Sequence, residues 1–483
     1  MTNIVLICTD QWRGDCFSGL GHPHVRTPNL DMVGERGTQV TRAYSPAPTC
    51  VPARMSLLTG LDPDNHRRVG YQDGVPFDIE TTMAGCFSQA GYQTQAIGKM
   101  HVYPERHRAG FDNVVLHDGY LHYARRGRPD PRFIDDYTVW LRQQPGNGAF
   151  DDEYENAVHC NEVAARPWDR PEYQHPTNWA TTEAINWLYR RDPDQPFFLY
   201  LSYHRPHAPY NPPQWAFDMY KDQDLQVPDK GNWEDELLAE YRDDLNPQAH
   251  VATYPPEVAR RALAGYYGNI THIDAQIERF IEALNDFGLA DDTIICFTSD
   301  HGDMMGEHGM WRKAYPYEGS ARVPMLFYGP GIQTGVSDEL MSLSDLMPTL
   351  LELANVEIPD GLDGVSHAAM LRGRNAGSSR EFLHGEHVIF GQSLQWIITA
   401  THKYVWWSKS GTEQLFNLVQ DPNEKHDLLR ESEGASLSDA DASSLEACRR
   451  ELISVLDGRE EGFVSGGSLV TGCPVAPVLS KRK

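Results

Sequence analysis

The chain has 483 residues, and 68 acidic side chains against 42 basic ones leave a net charge of −26. That balance excludes nucleic acid as a partner, because phosphate contacts need basic surface; a local group of Lys, Arg and His can still hold an anion inside a cleft. The length suits one large domain and a smaller one. Residues 3–9 (NIVLICT) are a continuous apolar, β-branched run, as in a central parallel strand. Asp10-Gln11 follow it, at the edge where open α/β sheets bind ligands. The start has no basic leader and reads as this first strand rather than a signal peptide. No run reaches transmembrane length. A cytoplasmic protein that does not enter a membrane is expected, or a periplasmic or secreted one if a leader has been removed.

Residues 27–36 read as a helix capped by Thr27, with Pro28 first. In residues 49–60 (TCVPARMSLLTG), Pro52 suits a first helical turn, Met55, Leu57 and Leu58 continue an apolar face, and Gly60 is a stop. Cys50 is therefore expected at a helix N-terminus, where free N–H groups favour an anion. Arg54 adds a cationic fork nearby. A helix over 81–90 and a strand over 93–97 lead into Gly98-Lys99-Met100-His101. Residues 117–178 are irregular and rich in Pro, Asp, Arg, His and Trp, the texture of a functional loop or lid.

A helix over 177–191 and a buried strand over 196–203 (PFFLYLSY) run into His204-Arg205-Pro206-His207. Residues 208–256 form a second irregular insertion. The longest helix is expected over 258–287, with apolar residues three and four apart. Residues 293–299 (TIICFTS) are another central strand, ending at Asp300-His301-Gly302. A strand over 323–328 and a capped helix over 344–354 follow. Short alternating runs at 382–387, 396–400, 404–407 and 414–418 suggest an antiparallel sheet with one face exposed. A helix over 443–456 would pack on it, and an extended tail begins at Gly458. The expected fold is α/β, a large, mostly parallel mixed sheet flanked by helices over 1–372, then an α+β unit over 373–483. The eight cysteines contain no C-x-x-C pair and no disulfide framework.

Two strand ends carry oxygen-rich pairs, Asp10-Gln11 and Asp300-His301. Such oxygens suit a hard divalent cation, although each pair by itself could be a helix cap or a turn.

The C-x-P-x-R of Cys50 to Arg54, followed by S-L-L-T-G, resembles the signature of type I sulfatases, in the alkaline phosphatase superfamily. Gly98-Lys99-Met100-His101 resembles their G-K-x-H. Trp311-Arg312-Lys313, with Glu318-Gly319 and Val323-Pro324 beyond, resembles W-x-K…E-G-x-x-x-V-P. Residues 345–350 (DLMPTL) resemble a structural D-L-x-P-T-L segment, and 415–428 (LFNLVQDPNEKHDL) a segment of the sulfatase C-terminal domain. The resemblance spans nearly the whole chain and leaves both insertions unmatched.

The resemblance implies an alkaline-phosphatase-like fold and a sulfatase. It implies that Cys50 is oxidised to formylglycine (3-oxoalanine) by a formylglycine-generating enzyme, and that the hydrated aldehyde is the nucleophile. Asp10, Gln11, Asp300 and His301, with residue 50, would hold one divalent metal. Ca2+ is the first expectation; Gln11 and His301 depart from the commonest Asp and Asn, and His301 is a softer ligand than calcium prefers, so Mg2+ or Mn2+ stay open. Lys99 and Lys313 would bind sulfate oxygens. His101 would bond the formylglycine and deprotonate its second hydroxyl. His207 would protonate the leaving alcohol, with His204 as its rival, and Arg54 would orient the formylglycine.

The substrate implied is a saccharide sulfate, small or oligomeric, ahead of choline sulfate or an aryl sulfate. Arg205, Tyr210, His175, His384 and His387 are candidates to bind it, and Tyr120, His122 and Trp168 to line the cleft mouth. The alternative is a phosphonate monoester or phosphodiester hydrolase of the same superfamily, whose metal pairs Gln11 and His301 resemble; Lys99 and His101 argue against it. A non-enzymatic binding protein would need Cys50 unmodified. A homo-oligomer is open.

Overall fold

A computed structural model describes residues 2–118, 135–148, 159–227, 230–374, 380–431 and 437–480. Its main sheet has eight strands. In spatial order they are Gly335–Ser337, Thr38–Val40, Met325–Tyr328, Thr293–Ser299, Asn3–Asp10, Phe197–Pro206, Gln93–Gly98 and Asn113–Leu116. Every neighbouring pair is parallel except the two made by Met325–Tyr328, which runs antiparallel to both its neighbours.

The three middle strands are buried throughout, which is why they read as unbroken apolar runs. Their side chains alternate between two cores. Val5, Ile7, Leu199, Leu201 and Phe297 face one core, with Ile270, Ile273 and Phe280 from the helix Pro256–Asp286. Ile4, Leu6, Phe198, Tyr200 and Cys296 face the other, with Leu57, Leu58, Phe87 and Leu350. Truncating a residue such as Ile273 to Ala would cost about 2–5 kcal/mol.

The ladder continues just past the strands. Asp300 N donates to Thr9 O at 3.2 Å, and His207 N to Asp10 O at 3.0 Å. Three sequence-distant segments are thereby pinned side by side at the C-terminal edge.

The second sheet is antiparallel, from Phe382–Ile389, Gln392–Thr399, His402–Trp407 and Glu413–Asn417 in that order. The expected exposed face is absent. Ile397, Tyr404, Trp406 and Leu415 pack under the helix Asp439–Leu456 through Leu445, Cys448 and Leu452. On the opposite face, Trp396, Val405, Trp407 and Phe416 pack against Trp233, Met310 and Tyr317. Trp233 comes from the second insertion, so that segment is partly a cover for this sheet.

The tail departs from a plain extended strand. Val464–Ser465 pairs with Ser468–Leu469 in a small hairpin. Beyond it, Leu479 N bonds Arg67 O, and Val69 N bonds Pro477 O. All eight cysteines are free. Among the described residues no helix is long and apolar enough to cross a membrane.

Candidate active site

The helix Cys50–Thr59 begins at Cys50 itself, after an extended Thr49, and stops at Gly60, whose φ of 68° is left-handed. Pro52 is its third residue, within the first turn as the sequence pattern implied. All of it except Val51 is buried, so the free N–H groups of its first turn lie in low dielectric at the sheet edge.

Four charged or donor groups surround the Cys50 sulfur. Lys99 Nζ is 3.5 Å away, Lys313 Nζ 3.4 Å, His301 Nε2 3.3 Å and Asp10 Oδ1 3.6 Å. Lys99 also pairs with Asp10. Lys313 donates to Gln11 Oε1 at 2.7 Å. His301 Nε2 lies 3.5 Å from both Asp10 and Asp300. Arg54 donates through Nε to Asp300 Oδ2 at 2.8 Å, and through Nη1 to Lys99 O, Tyr200 OH and Ser202 Oγ, each at 2.8 Å. Its contacts therefore go to Asp300, the Lys99 carbonyl, Tyr200 and Ser202.

The electrostatics follow from burial and these neighbours. Burial and Asp10 would push the Cys50 thiol up, but Lys313, Lys99 and His301 outweigh them and hold it well below its ordinary value. Burial would also raise Asp10; Lys99 chiefly holds it well below the carboxylate range. Asp300 is raised, by burial and by Asp10, because the site resists a further buried anion.

A divalent cation would relieve that conflict, and the donor set fits one. The ligand atoms of Asp10, Cys50, Asp300 and His301 lie within 4.8 Å of one another. Gln11 brings its amide oxygen to the same side through Lys313. Two carboxylates, an amide oxygen and one imidazole are a mainly hard donor set.

His101 sits 3.7 Å from Asp73, which with Cys50 raises its pKa against the effect of burial. His207 is pushed well down by burial and by Lys313. Its Nδ1 lies 2.8 Å from Ala208 O, leaving Nε2 as the other ring nitrogen for proton transfer. His204 stacks on His207 with centroids 5.1 Å apart. Gln11, His101, Arg312 and Ala314 all have left-handed φ, of 74°, 58°, 68° and 88°. Each such non-glycine residue costs about 1–3 kcal/mol, and such strain clusters at functional sites.

A cleft of about 330 Å3 opens over Cys50. Lys99, His101, His204, His207, Lys313 and His387 line it. His387 Nε2 lies 2.8 Å from Thr49 Oγ1. Four expected substrate residues do not line it. Arg205 is turned into the protein, donating to Asn211 Oδ1 at 3.0 Å. Tyr210 OH donates to Asp303 at 2.8 Å. His175 caps the helix Pro176–Arg190 and packs on Trp168 and His272. Trp168 thus belongs to that packing and not to the cleft mouth. His384 bonds Gln395 Oε1 at 2.7 Å within the second sheet. Tyr120 and His122 lie outside the described residues. The cleft also takes Tyr71, Asp73, Asn161, His250 and Arg312. No periodic pattern marks the first four; Arg312 was legible only as the neighbour of Lys313.

Fold and site together define a hydrolase built like alkaline phosphatase, with an anion-binding cleft at the sheet edge. Residues 2–356 match the family model described as Sulfatase, and residues 306–451 that described as N-sulphoglucosamine sulphohydrolase, C-terminal. The chain is 45% identical to an arylsulfatase of Clostridium perfringens, over 99% of each chain. It is 30% identical to a choline-sulfatase of Rhizobium meliloti, over 89% of this chain and 83% of that one. The solved phosphonate monoester hydrolase of Agrobacterium radiobacter superposes with a TM-score of 0.73 at 25% identity, covering 93% of this chain and 96% of that one. The chain belongs to the sulfatase family, and is a sulfuric ester hydrolase.

Proposed function

We propose that this sulfatase hydrolyses a sulfate monoester of a saccharide, using formylglycine at position 50 and one divalent metal. The observation that carries the reading is the convergence of Lys99 and Lys313 on residue 50 at a buried helix N-terminus. When present, hydrated formylglycine supplies an oxygen nucleophile, and the cation supplies charge neutralisation and Lewis acidity. Asp10, Gln11, Asp300 and His301 would hold the cation. Lys99 and Lys313 grip the sulfate oxygens and neutralise their charge. Arg54 fixes Asp300. His101, braced by Asp73, takes a proton from residue 50. His207 gives a proton from Nε2 to the departing alcohol oxygen; the sulfate anion beside it opposes the burial and the lysines that hold its pKa down.

The saccharide reading rests on the cleft walls. His250, His387, Asn161 and Tyr71 offer hydrogen bonds and aromatic faces suited to a ring bearing hydroxyls. An aryl sulfate is the second reading, favoured by the name of the Clostridium relative. The test is intact mass of residue 50, followed by a panel of sulfated monosaccharides, uronic-acid disaccharides, choline sulfate, aryl sulfates and aryl phosphonates. Active protein with unmodified Cys50 would overturn the mechanism. A preference for the phosphonate would overturn the sulfate assignment, and one for the aryl sulfate the saccharide.

A further inference from the structure

Asp303 is fully buried and does not line the cleft. Its Oδ1 accepts from the backbone N–H of Met305 at 3.0 Å and of Arg312 at 2.9 Å. Its Oδ2 accepts from Tyr210 OH at 2.8 Å and from the side-chain amide nitrogen of Gln11. The other end of that amide, Gln11 Oε1, accepts from Lys313 Nζ at 2.7 Å. The same ammonium lies 3.4 Å from the Cys50 sulfur.

These partners allow one orientation of the amide. A carboxylate can only accept, and an ammonium can only donate. Asp303 must therefore take the NH2 end of Gln11, and Lys313 the oxygen end. Turning the amide over would set oxygen against oxygen and NH2 against ammonium. The oxygen is thus held on the Cys50 side, where the acidic cluster lies. Asp303 also holds the backbone that carries Lys313. The flanking residues Arg312 and Ala314 have φ of 68° and 88°, a strained turn that needs an anchor.

We propose that Asp303 is a positioning residue. It selects the Gln11 amide orientation that offers oxygen to the cation, and it fixes the turn from which Lys313 projects. This rests on the divalent-metal reading. It also gives Tyr210 a place, as the second donor to Asp303.

The test is an amide–carboxylate swap. Asp303→Asn keeps an oxygen for Met305 and Arg312 but presents NH2 to Gln11. Gln11 must then turn its own NH2 toward Lys313 and the cluster. In Q11E/D303N the match returns, because the amide introduced at position 303 donates to one oxygen of the carboxylate introduced at position 11, and the other oxygen faces the cluster. Ca2+ is titrated calorimetrically into full-length wild type and variants, with intact mass showing the same state at position 50. D303N is expected to bind Ca2+ roughly 10- to 100-fold more weakly, the usual cost of losing such a supporting contact. Q11E/D303N is expected to recover most of that loss, and Tyr210→Phe to stay near wild type.

Wild-type affinity in D303N, or no recovery in the double variant, overturns the inference while leaving the metal reading intact. A wild type that takes up no Ca2+, Mg2+ or Mn2+ overturns the metal reading and this inference with it. If D303N does not fold, the double variant decides: folded and Ca2+-binding supports the pairing, unfolded overturns it.

Discussion

Lys99 and Lys313 reach one sulfur from unrelated segments, with Nζ to Cys50 Sγ distances of 3.5 and 3.4 Å. Their remaining partners differ in charge. Lys99 pairs with the carboxylate of Asp10, whereas Lys313 donates to the neutral amide of Gln11. Truncating either is expected to lower kcat/KM on a sulfate ester about 100-fold or more, as for loss of one oxyanion donor. Stability should separate them. In metal-free buffer, Lys99→Ala leaves Asp10 buried without its nearest cation, at a cost of about 3–5 kcal/mol. Lys313→Ala forfeits a bond worth about 1–2 kcal/mol. Thermal unfolding of the two variants checks this; equal losses would contradict it.

Cys50→Ala removes a small buried side chain at the first position of its helix. Turnover is expected to fall below detection while the far-UV circular dichroism stays native. An aldehyde-reactive hydrazide should label wild type and leave the variant unlabelled. Retained activity in the alanine variant would refute the nucleophile.

His387 and Arg205 separate a cleft residue from a core residue. His387 lines the cleft and Arg205 faces inward against Asn211 and His204. His387→Ala is expected to slow a glycan sulfate far more than a small aryl sulfate. Arg205→Ala should slow both equally and destabilise the fold by about 1–3 kcal/mol, because buried partners lose a donor. Steady-state kinetics on the two substrates, with melting curves, decides between these outcomes.

Glu386 and Arg459 form a buried two-bond pair, with both N–O distances 2.8 Å. Burial would raise Glu386, but Arg459 overrides it and holds the carboxyl below its ordinary 4.5. A carboxyl depressed by folding stabilises the protein above its unfolded value, and loses that contribution as pH falls through the folded value. Wild type should therefore lose this contribution only below the ordinary carboxylate range. Arg459→Met is expected to cost about 3–5 kcal/mol near neutrality. It should also invert the slope, since an unpaired buried Glu386 has a raised pKa and destabilises the fold as pH rises. Melting temperatures from about pH 4 to about pH 8 show whether the variant gains stability on acidification.

Much of the site was legible because its residues sit at the ends of strongly patterned elements. Asp10 closes one apolar strand, Asp300 directly follows another, and Cys50 opens a helix marked by Pro52 and Gly60. Lys99 follows a strand and a glycine in the same way. The misplacements have two origins. The strand Phe197–Pro206 runs three residues further than its apolar pattern, so Arg205 is still inside it and points into the protein. Tyr210 and His175 carry side chains suited to a sugar, but residue type does not state which way a loop side chain turns.

The sequence by itself determined the family, the parallel sheet and the residues that converge on position 50, because those depend on local motif and short-range periodicity. Only the tertiary structure decided that Asp303 stands behind Gln11, that Tyr71, Asp73, Asn161 and His250 reach the cleft, and that the second sheet is covered on both faces. Those facts depend on how far-separated loops close over the sheet edge. A contact such as Gln11 to Asp303 spans almost the whole catalytic sheet in sequence, and no local pattern of either residue records it.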